Sequence, residues 1–288
     1  MSGGCPAGRL EGVVKPETVE AKRPADSDRR LQRLGAALHP PSAHPSDEGP
    51  PIDRLIQQLR ACSRRDPAVS LAFVAAHTQR VKLGTGIIIL PQRNPLVLAK
   101  ELASVDVVSG GRLIFGLGIG YLKAEFDALG VSFEDKGARA VEYLEAILTL
   151  WTAPQPEYHG HFVSFAGIQS LPRPVQSPHP PIVIGGHSPQ AYRRAVTHGN
   201  GWYGFALDST GTASCLAELR TARAKWERPE RLGELEISVT PRGPLDLDTV
   251  KRYAELGVHR LIPYWPFPME SALRERVARF GDEVIGKL

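Results

Sequence analysis

Glycine-rich stretches that follow apolar runs are the part of this sequence whose residue types and spacing point to chemistry. They are Leu-Gly-Thr-Gly-Ile-Ile-Ile-Leu at 83–90, Phe-Gly-Leu-Gly-Ile-Gly-Tyr at 115–121 and Ile-Val-Ile-Gly-Gly-His-Ser at 182–188. Glycine permits tight turns and lets a flat ligand approach the backbone closely. At the third stretch a helix is predicted to begin, and its first N–H groups together with the Ser188 hydroxyl suit a phosphate. No side chain in these stretches is identified as a catalytic acid or base.

Alternating strands and helices must position these stretches. The patterns predict strands at 81–90, 112–118, 180–186, 201–204, 235–240 and 259–264. Helices are predicted from 67, at 95–107, 137–151, 189–198, 212–226 and 247–256, and from near 269, with a hairpin at 157–165. Alternation with short connections indicates βα units and a parallel sheet, which both a doubly wound fold and a closed barrel satisfy. Six strands are visible, whereas a TIM barrel needs eight.

The composition changes near residue 66. Residues 1–65 are rich in Pro, Arg, Ser, Asp and Glu, and the proline-rich run 39–51 is incompatible with a helix or a central strand. We therefore divide the chain into an atypical, largely irregular or disordered segment, 1–65, and a regular domain, 66–288. Within the first segment, Ile52 to Cys62 has the spacing of a short amphipathic helix.

Composition narrows the classes of function. The net charge of +4 and the pI near 9.0 come from scattered residues, so nucleic acid is not an expected partner. The three cysteines, Cys5, Cys62 and Cys215, are far apart and odd in number, which favours free thiols over a disulfide framework or a zinc site. The histidines lack metal-ligand spacing, so we expect no metal. No apolar run approaches the roughly 20 residues of a membrane span, and no secretory signal is visible. We expect a cytoplasmic protein.

Taken in order, the three stretches resemble the luciferase-like monooxygenase superfamily, most closely its F420-dependent oxidoreductase branch. Further matching residues are Asn94-Pro95, the run 98–106, Glu125-Phe126, Ala195 and Gly199-Asn200-Gly201-Trp202. The resemblance covers roughly Asp66 to Tyr264. It implies a TIM (β/α)8 barrel of the luciferase-like type, incomplete at its N-terminus, because the first two strands of the family are not recognisable in 1–65. Either a truncated or frame-shifted gene product or a degraded strand would explain that segment.

The resemblance also implies the cofactor, coenzyme F420 or FMN, and a site at the carboxyl ends of the strands. In similar proteins a non-prolyl cis peptide bond lies behind the central ring, and the matching bond here joins Gly86 and Ile87. Gly116, Gly118 and Gly120 are expected to leave room for the cofactor. The implied cofactor-binding residues are Thr85, Gly86, Ile87, Gly118, Gly120, Glu125, Gly185, Gly186, His187 and Ser188.

Two of these side chains have alternative interpretations. Glu125 either closes hydrogen bonds near the cofactor or is an acidic residue favoured by a helix N-terminus. His187 either faces the cofactor or is a solvated loop residue. Away from the site, we expect Arg112 to satisfy backbone groups at the opposite end of the barrel and Trp202 to lie in the core or at the barrel rim.

The function implied is oxidation or reduction of a small organic substrate, by hydride transfer or oxygen activation at the bound cofactor. One alternative is a non-catalytic barrel remnant. A second is an NAD(P)-binding Rossmann dehydrogenase, suggested by Gly116-x-Gly118-x-Gly120; but that spacing is GxGxG, not GxGxxG, and a plausible acidic partner is missing. Besides the substrate, a second copy of the chain in a homodimer is the partner that we consider.

Overall fold

The computed structural model describes residues 66–264 and 270–287, without the side chains of 270–274. The segment 1–65, including the helix predicted at Ile52 to Cys62, therefore lies outside the described residues. In the described part, no helix combines the length and the apolar character that a membrane crossing requires.

Helices and strands alternate through the described residues. The helices are α1 (Pro67–His77), α2 (Pro95–Val108), α3 (Lys123–Leu129), α4 (Lys136–Thr152), α5 (Pro189–His198), α6 (Ser209–Lys225), α7 (Leu247–Glu255) and α8 (Glu270–Glu283). The strands are β1 (Leu83–Gly84), β2 (Ile88–Ile89), β3 (Leu113–Gly118), β4 (Tyr158–His159), β5 (Ser164–Phe165), β6 (Ile182–Gly185), β7 (Gly201–Leu207), β8 (Glu236–Pro241) and β9 (Arg260–Leu261). Short 3-10 turns lie at Leu90–Gln92, Glu230–Leu232 and Ile285–Lys287. The predicted elements occur in the predicted order, and α3 is an additional helix that the sequence analysis did not predict.

The main sheet is parallel, and its strands follow the chain order. β1 and β2 both pair with β3, and the sheet continues through β6, β7, β8 and β9. Since the order never reverses, the sheet has no topological switch point of the doubly wound kind. The Rossmann alternative is therefore wrong, and the six strand positions correspond to part of a TIM barrel.

The predicted strand at 81–90 is interrupted. Leu83 is in register with Leu113, whereas Ile88 is in register with Leu117, so one extra residue separates the two pairings. The run between β1 and β2 leaves the ladder at the carboxyl end of the strand. The glycines at 84 and 86 indicated a turn at this point, but the apolar residues on both sides led us to predict one strand over 81–90.

Alternation along each strand separates the two faces of the sheet. Leu113, Phe115 and Leu117 of β3 are buried in the hydrophobic core that the sheet forms with the surrounding helices. The intervening positions, including Gly116 and Gly118, face the inside of the curved sheet. Trp202 of β7 is fully buried in the helix-facing core, as expected.

The amino ends of the strands are fixed by a buried arginine. Arg112 donates hydrogen bonds to the carbonyl oxygens of Ser109, Val81 and Ala75 and to the hydroxyl of Thr78. The structural role predicted for Arg112 is confirmed. With the amino ends closed in this way, the carboxyl ends of the strands remain as the place for ligand-binding loops, as in other TIM barrels.

Candidate cofactor-binding site

The three glycine-rich stretches meet at the carboxyl ends of three adjacent strands. The register pairs Ile89 with Gly118 and Leu117 with Ile184, so β2, β3 and β6 end side by side. Gly185 is in register with Tyr203, which places the middle of β7 beside the end of β6. The structure therefore brings the three predicted glycine-rich stretches together.

The break between β1 and β2 is held in place by Thr85. Its buried hydroxyl donates a hydrogen bond of 2.7 Å to the Gly116 carbonyl oxygen and accepts one of 2.8 Å from the Gly116 N–H. The next peptide bond, between Gly86 and Ile87, is cis, as the resemblance implied. The backbone at Thr85–Ile87 is thus fixed to β3 on one side while it departs from the sheet on the other.

The glycines of β3 do not leave room for a cofactor, contrary to our expectation. A Cβ atom at Gly116 would overlap the Thr85 carbonyl oxygen, and one at Gly118 would overlap the Ile87 side chain. At Gly120 the space is taken by Ile89 and Phe126. Because these residues have no side chains, the interrupted strand can bend closely over β3 and occupy the space that side chains would fill.

Ile87 also covers the end of β6. Its Cγ2 atom lies 3.2 Å from the position that a Cβ atom of Gly185 would occupy. Gly86 differs from the other glycines, since a Cβ atom there would meet no atom within 4 Å. The exposed backbone of Gly86 is therefore the surface of this group that faces open space.

The start of α5 follows directly after β6. Gly186 has a φ of +128°, which a residue with a side chain rarely adopts. The Ser188 hydroxyl accepts a 3.3 Å hydrogen bond from the Ala191 N–H and so caps α5. A capping hydroxyl retains its own proton for donation, so Ser188 caps the helix and still presents a donor at the anion-attracting end of α5.

His187 is held by the neighbouring strand. Its Nε2 atom accepts a 3.1 Å hydrogen bond from the Phe205 N–H, which places the proton of the neutral ring on Nδ1. Although the side chain is exposed at its rim, desolvation of the ring lowers the pKa of His187 below its usual value near 6.5. His187 is therefore neutral at physiological pH, and the hydrogen bond to Phe205 holds its ring in one orientation.

Sequence reasoning missed the polar and aromatic groups at the ends of β7 and β8. The Tyr203 and Thr240 hydroxyls lie 2.7 Å apart, and both residues are buried. The Phe205 ring makes an edge contact with Tyr264, their centroids 6.2 Å apart. Alternation along β7 could have identified Tyr203 and Phe205, because Trp202 is assigned to the opposite face.

Two arginines between α4 and α5 were also missed. Arg194 is only 9% exposed, its Nε atom has no hydrogen-bond partner, and no carboxylate pairs with it among residues 66–264 and 270–287. Burial lowers its pKa, and the charge of Arg193 adds to this effect. The Nη1 atom of Arg194 lies 3.9 Å from the Cβ position of Gly137, in the first turn of α4.

Arg139, also near the start of α4, has a buried Nε atom without a partner. Two guanidinium groups without counter-charges thus lie near the start of α4, where the unpaired N–H groups of the helix already favour a negative charge. Burying an unpaired charge is costly, and the cost is offset when an anion binds. These residues fit a ligand that carries a phosphate group.

Glu125 is exposed and lies in the first turn of α3, where it accepts a 3.1 Å hydrogen bond from the Gln92 side chain. This bond connects α3 to the turn that follows β2, so Glu125 supports the rim of the site. Within the described ranges, no three His, Cys, Asp or Glu side chains are grouped as ligands for a metal ion.

Comparison with known proteins identifies the fold family. The sequence model described as luciferase-like monooxygenase matches residues 33–255. The match begins well before Asp66, where the motifs had placed the start of the resemblance. An uncharacterized protein of Mycobacterium tuberculosis is 29% identical over 252 residues, which are 86% of this chain and 83% of the relative.

Named relatives match over shorter parts. The oxygenase component of the flavin-dependent trigonelline monooxygenase of Acinetobacter baylyi is 35% identical over 136 residues, 46% of this chain and 38% of that protein. Among solved structures, the monooxygenase RslO1 from Streptomyces bottropensis is 28% identical with a TM-score of 0.54, over 77% of this chain and 64% of that one. The chain thus spans less than two thirds of both proteins.

The fold itself is shared more widely. The coenzyme F420-dependent tetrahydromethanopterin reductase from Methanopyrus kandleri superimposes with a TM-score of 0.65 at 18% identity, over 78% of this chain and 88% of that one. At this identity the likeness concerns the architecture alone. It agrees with the partial barrel that the sequential parallel strands form.

Proposed function

The chain belongs to the luciferase-like monooxygenase family, and we propose that it is an oxidoreductase that binds FMN or coenzyme F420 and acts on a small organic substrate. Family members named among its relatives include flavin-dependent monooxygenases, and an F420-dependent reductase shares the fold. When bound, such a cofactor supplies hydride transfer or, for reduced FMN, activation of oxygen.

The observation that carries this proposal is the buried, unpaired guanidinium of Arg194. A buried arginine is normally paired, because an uncompensated buried charge costs about 3–5 kcal/mol. Arg194 has no carboxylate partner among the described residues and lies beside the first turn of α4. Both FMN and F420 carry a phosphate, which would supply the missing charge at this end of the sheet.

The remaining residues would hold the ring. Gly86 offers an open backbone surface, and the side chain of Ile87 packs beside it over Gly118 and Gly185. His187 presents an Nδ1–H donor in a fixed orientation, and the Tyr203–Thr240 hydroxyl pair lies at the end of the adjacent strands. The residues of this chain would thus orient the cofactor and exclude water from one face.

Ligand titrations test the proposal. Purified protein is titrated with FMN, F420 and riboflavin, and binding is followed by flavin fluorescence or by the absorbance of the retained cofactor. We expect one phosphate-bearing cofactor to bind and Arg194→Met to weaken that binding about tenfold or more, since a hydrogen bond to a charged group contributes about 1.5–3 kcal/mol.

Arg193→Met is the matched control, because Arg193 is exposed and stacks on Trp226 with 4.1 Å between the guanidinium and the ring centroid. This control should leave cofactor binding unchanged. Equal losses in the two variants, or wild-type protein that retains neither FMN nor F420, would refute the proposal.

One observation favours a second candidate, a non-catalytic barrel remnant. Among the described strands, the interrupted strand β1–β2 and the strand β9 each have a neighbour on one side only. Unpaired edges leave backbone groups open to other chains. A remnant would retain no cofactor and would unfold with poor cooperativity, whereas the enzyme should bind cofactor and gain thermal stability from it.

A further inference from the structure

The hairpin of β4 and β5 is fixed to α4 by one carboxylate. The Glu142 side chain accepts hydrogen bonds from three successive N–H groups at the hairpin tip, those of His161 (2.9 Å), Phe162 (2.5 Å) and Val163 (2.7 Å). A Cβ atom at Gly160 would overlap this carboxylate, so the tip approaches Glu142 as closely as it does because residue 160 is glycine.

The same hairpin tip holds Arg139. The Phe162 ring lies over the guanidinium of Arg139, 4.2 Å from its central carbon to the ring centroid. On the other side, the Nη1 atom of Arg139 donates a 3.1 Å hydrogen bond to the Tyr143 hydroxyl. A stacked ring and one hydrogen bond fix the plane of the guanidinium, while its buried Nε atom has no partner.

The spacing on α4 would allow a different arrangement. Glu142 follows Arg139 by three residues, a separation at which a helix commonly forms an ion pair. No such pair is present, because both carboxylate oxygens bind the hairpin backbone instead. The charge of Arg139 is therefore oriented but not neutralised by its own helix.

The uncompensated charge lies where an anion is favoured. Arg139 lies in the first turn of α4, three residues after Lys136. Gly137 of the same turn lies beside Arg194. The positive end of the helix dipole adds to both guanidinium charges. The charge of Arg139 would therefore add to that of Arg194 in attracting a phosphate to this end of α4.

We propose that Glu142 is a positioning residue, which anchors the hairpin tip so that Phe162 holds Arg139 toward the anionic group of the cofactor. This inference rests on the proposed function, since it needs a phosphate-bearing ligand. Glu142 itself touches neither the cofactor nor the substrate. Its effect is transmitted through two contacts, the hydrogen bonds to the tip and the ring stack on Arg139.

The test compares the binding of FMN with that of riboflavin, which has the same ring system but no phosphate. If the wild-type protein prefers F420, the comparison uses F420 and its chromophore without the phosphate-bearing tail. Glu142→Gln and Gly160→Ala each disturb the anchor from one side. In both variants we expect the dissociation constant for the phosphate-bearing ligand to rise about tenfold, while that for the phosphate-free ligand changes less than twofold.

Glu157→Gln is the control, because Glu157 lies in the hairpin region, is exposed, and pairs with His159 instead of α4. It should leave both dissociation constants unchanged. If either variant weakens both ligands equally, or weakens neither, Glu142 has only a structural role and the inference is wrong. Wild-type protein that binds no phosphate-bearing ligand would instead overturn the proposed function, and the positioning role with it.

Discussion

Gly116 offers the most direct test of how the interrupted strand is built. The glycine lies in β3 with its missing side chain toward Thr85, and a Cβ atom would overlap the Thr85 carbonyl oxygen. That oxygen belongs to the backbone and cannot rotate away. The Thr85 hydroxyl, which both donates to and accepts from the Gly116 backbone, would be displaced together with it. Gly116→Ala should therefore separate β3 from the strand break.

The expected loss has two parts. Overpacking a well-packed site costs about 1–3 kcal/mol, and weakening one or both hydrogen bonds of the Thr85 hydroxyl costs about 0.5–1.5 kcal/mol each. Together they predict a loss of about 1.5–6 kcal/mol in the free energy of unfolding. For a domain of this size, each kcal/mol corresponds to a fall of about 2–4 °C in Tm.

Urea unfolding followed by circular dichroism measures this loss. Gly84→Ala is the matched control, because Gly84 lies in the same interrupted strand. Its Cβ atom would lie at an ordinary contact distance of 3.9 Å from the Ile114 Cβ atom of β3. Gly118→Ala should fall between the two, since the obstructing atom there is the flexible end of Ile87. If Gly116→Ala were no more destabilising than Gly84→Ala, the account of the strand break would be refuted.

Three further predictions concern the site. Gly86→Ala should lower the affinity for FMN or F420 about tenfold with little change in Tm, because its Cβ atom would enter open space; unchanged affinity in a fluorescence titration would exclude contact between Gly86 and the ring. Ser188→Ala should lower the free energy of unfolding by about 1 kcal/mol, because the helix cap is lost. Ser188→Asp should keep the cap but weaken phosphate binding by charge repulsion. Equal affinities of the two variants for the phosphate-bearing cofactor would argue against a phosphate at this position. The His187 ring should titrate below 6.5 by NMR, because desolvation lowers its pKa. The unfolded chain then binds more protons than the folded protein, so the His187 contribution to stability is lost as pH falls below about 6.5. A ring that titrates above 6.5 would contradict the geometry.

The order of elements could be predicted because each carries its own local signal. Helix α5 was predicted with its observed bounds, since Ser188 and Pro189 mark its start and Gly199 its end. The break between β1 and β2 could not be predicted in the same way. Gly84 and Gly86 indicate a turn there, but the extra residue in the register depends on how Thr85 bonds to β3, which is a long-range contact.

Glycine spacing identified a candidate site but not which atoms fill the space beside each glycine. The sequence shows where side chains are missing, and the structure decides which atoms take that space. At Gly118 the occupant is Ile87 from the neighbouring strand, whereas at Gly86 there is none. Long-range register between strands determines this difference, and register is not visible within a single stretch of sequence.

The arginines illustrate the opposite case, in which a usable sequence signal was present. Arg193 and Arg194 are adjacent in α5, and composition alone treats both as surface residues. Helical periodicity separates them, because Arg194 lies three residues after Ala191 on the buried stripe while Arg193 faces solvent. An arginine on an apolar stripe needs a counter-charge, and no carboxylate of α5 stands three or four residues away to provide it. The anion site that we propose could therefore have been inferred from the helix pattern, independently of the glycines that first drew attention to this end of the barrel.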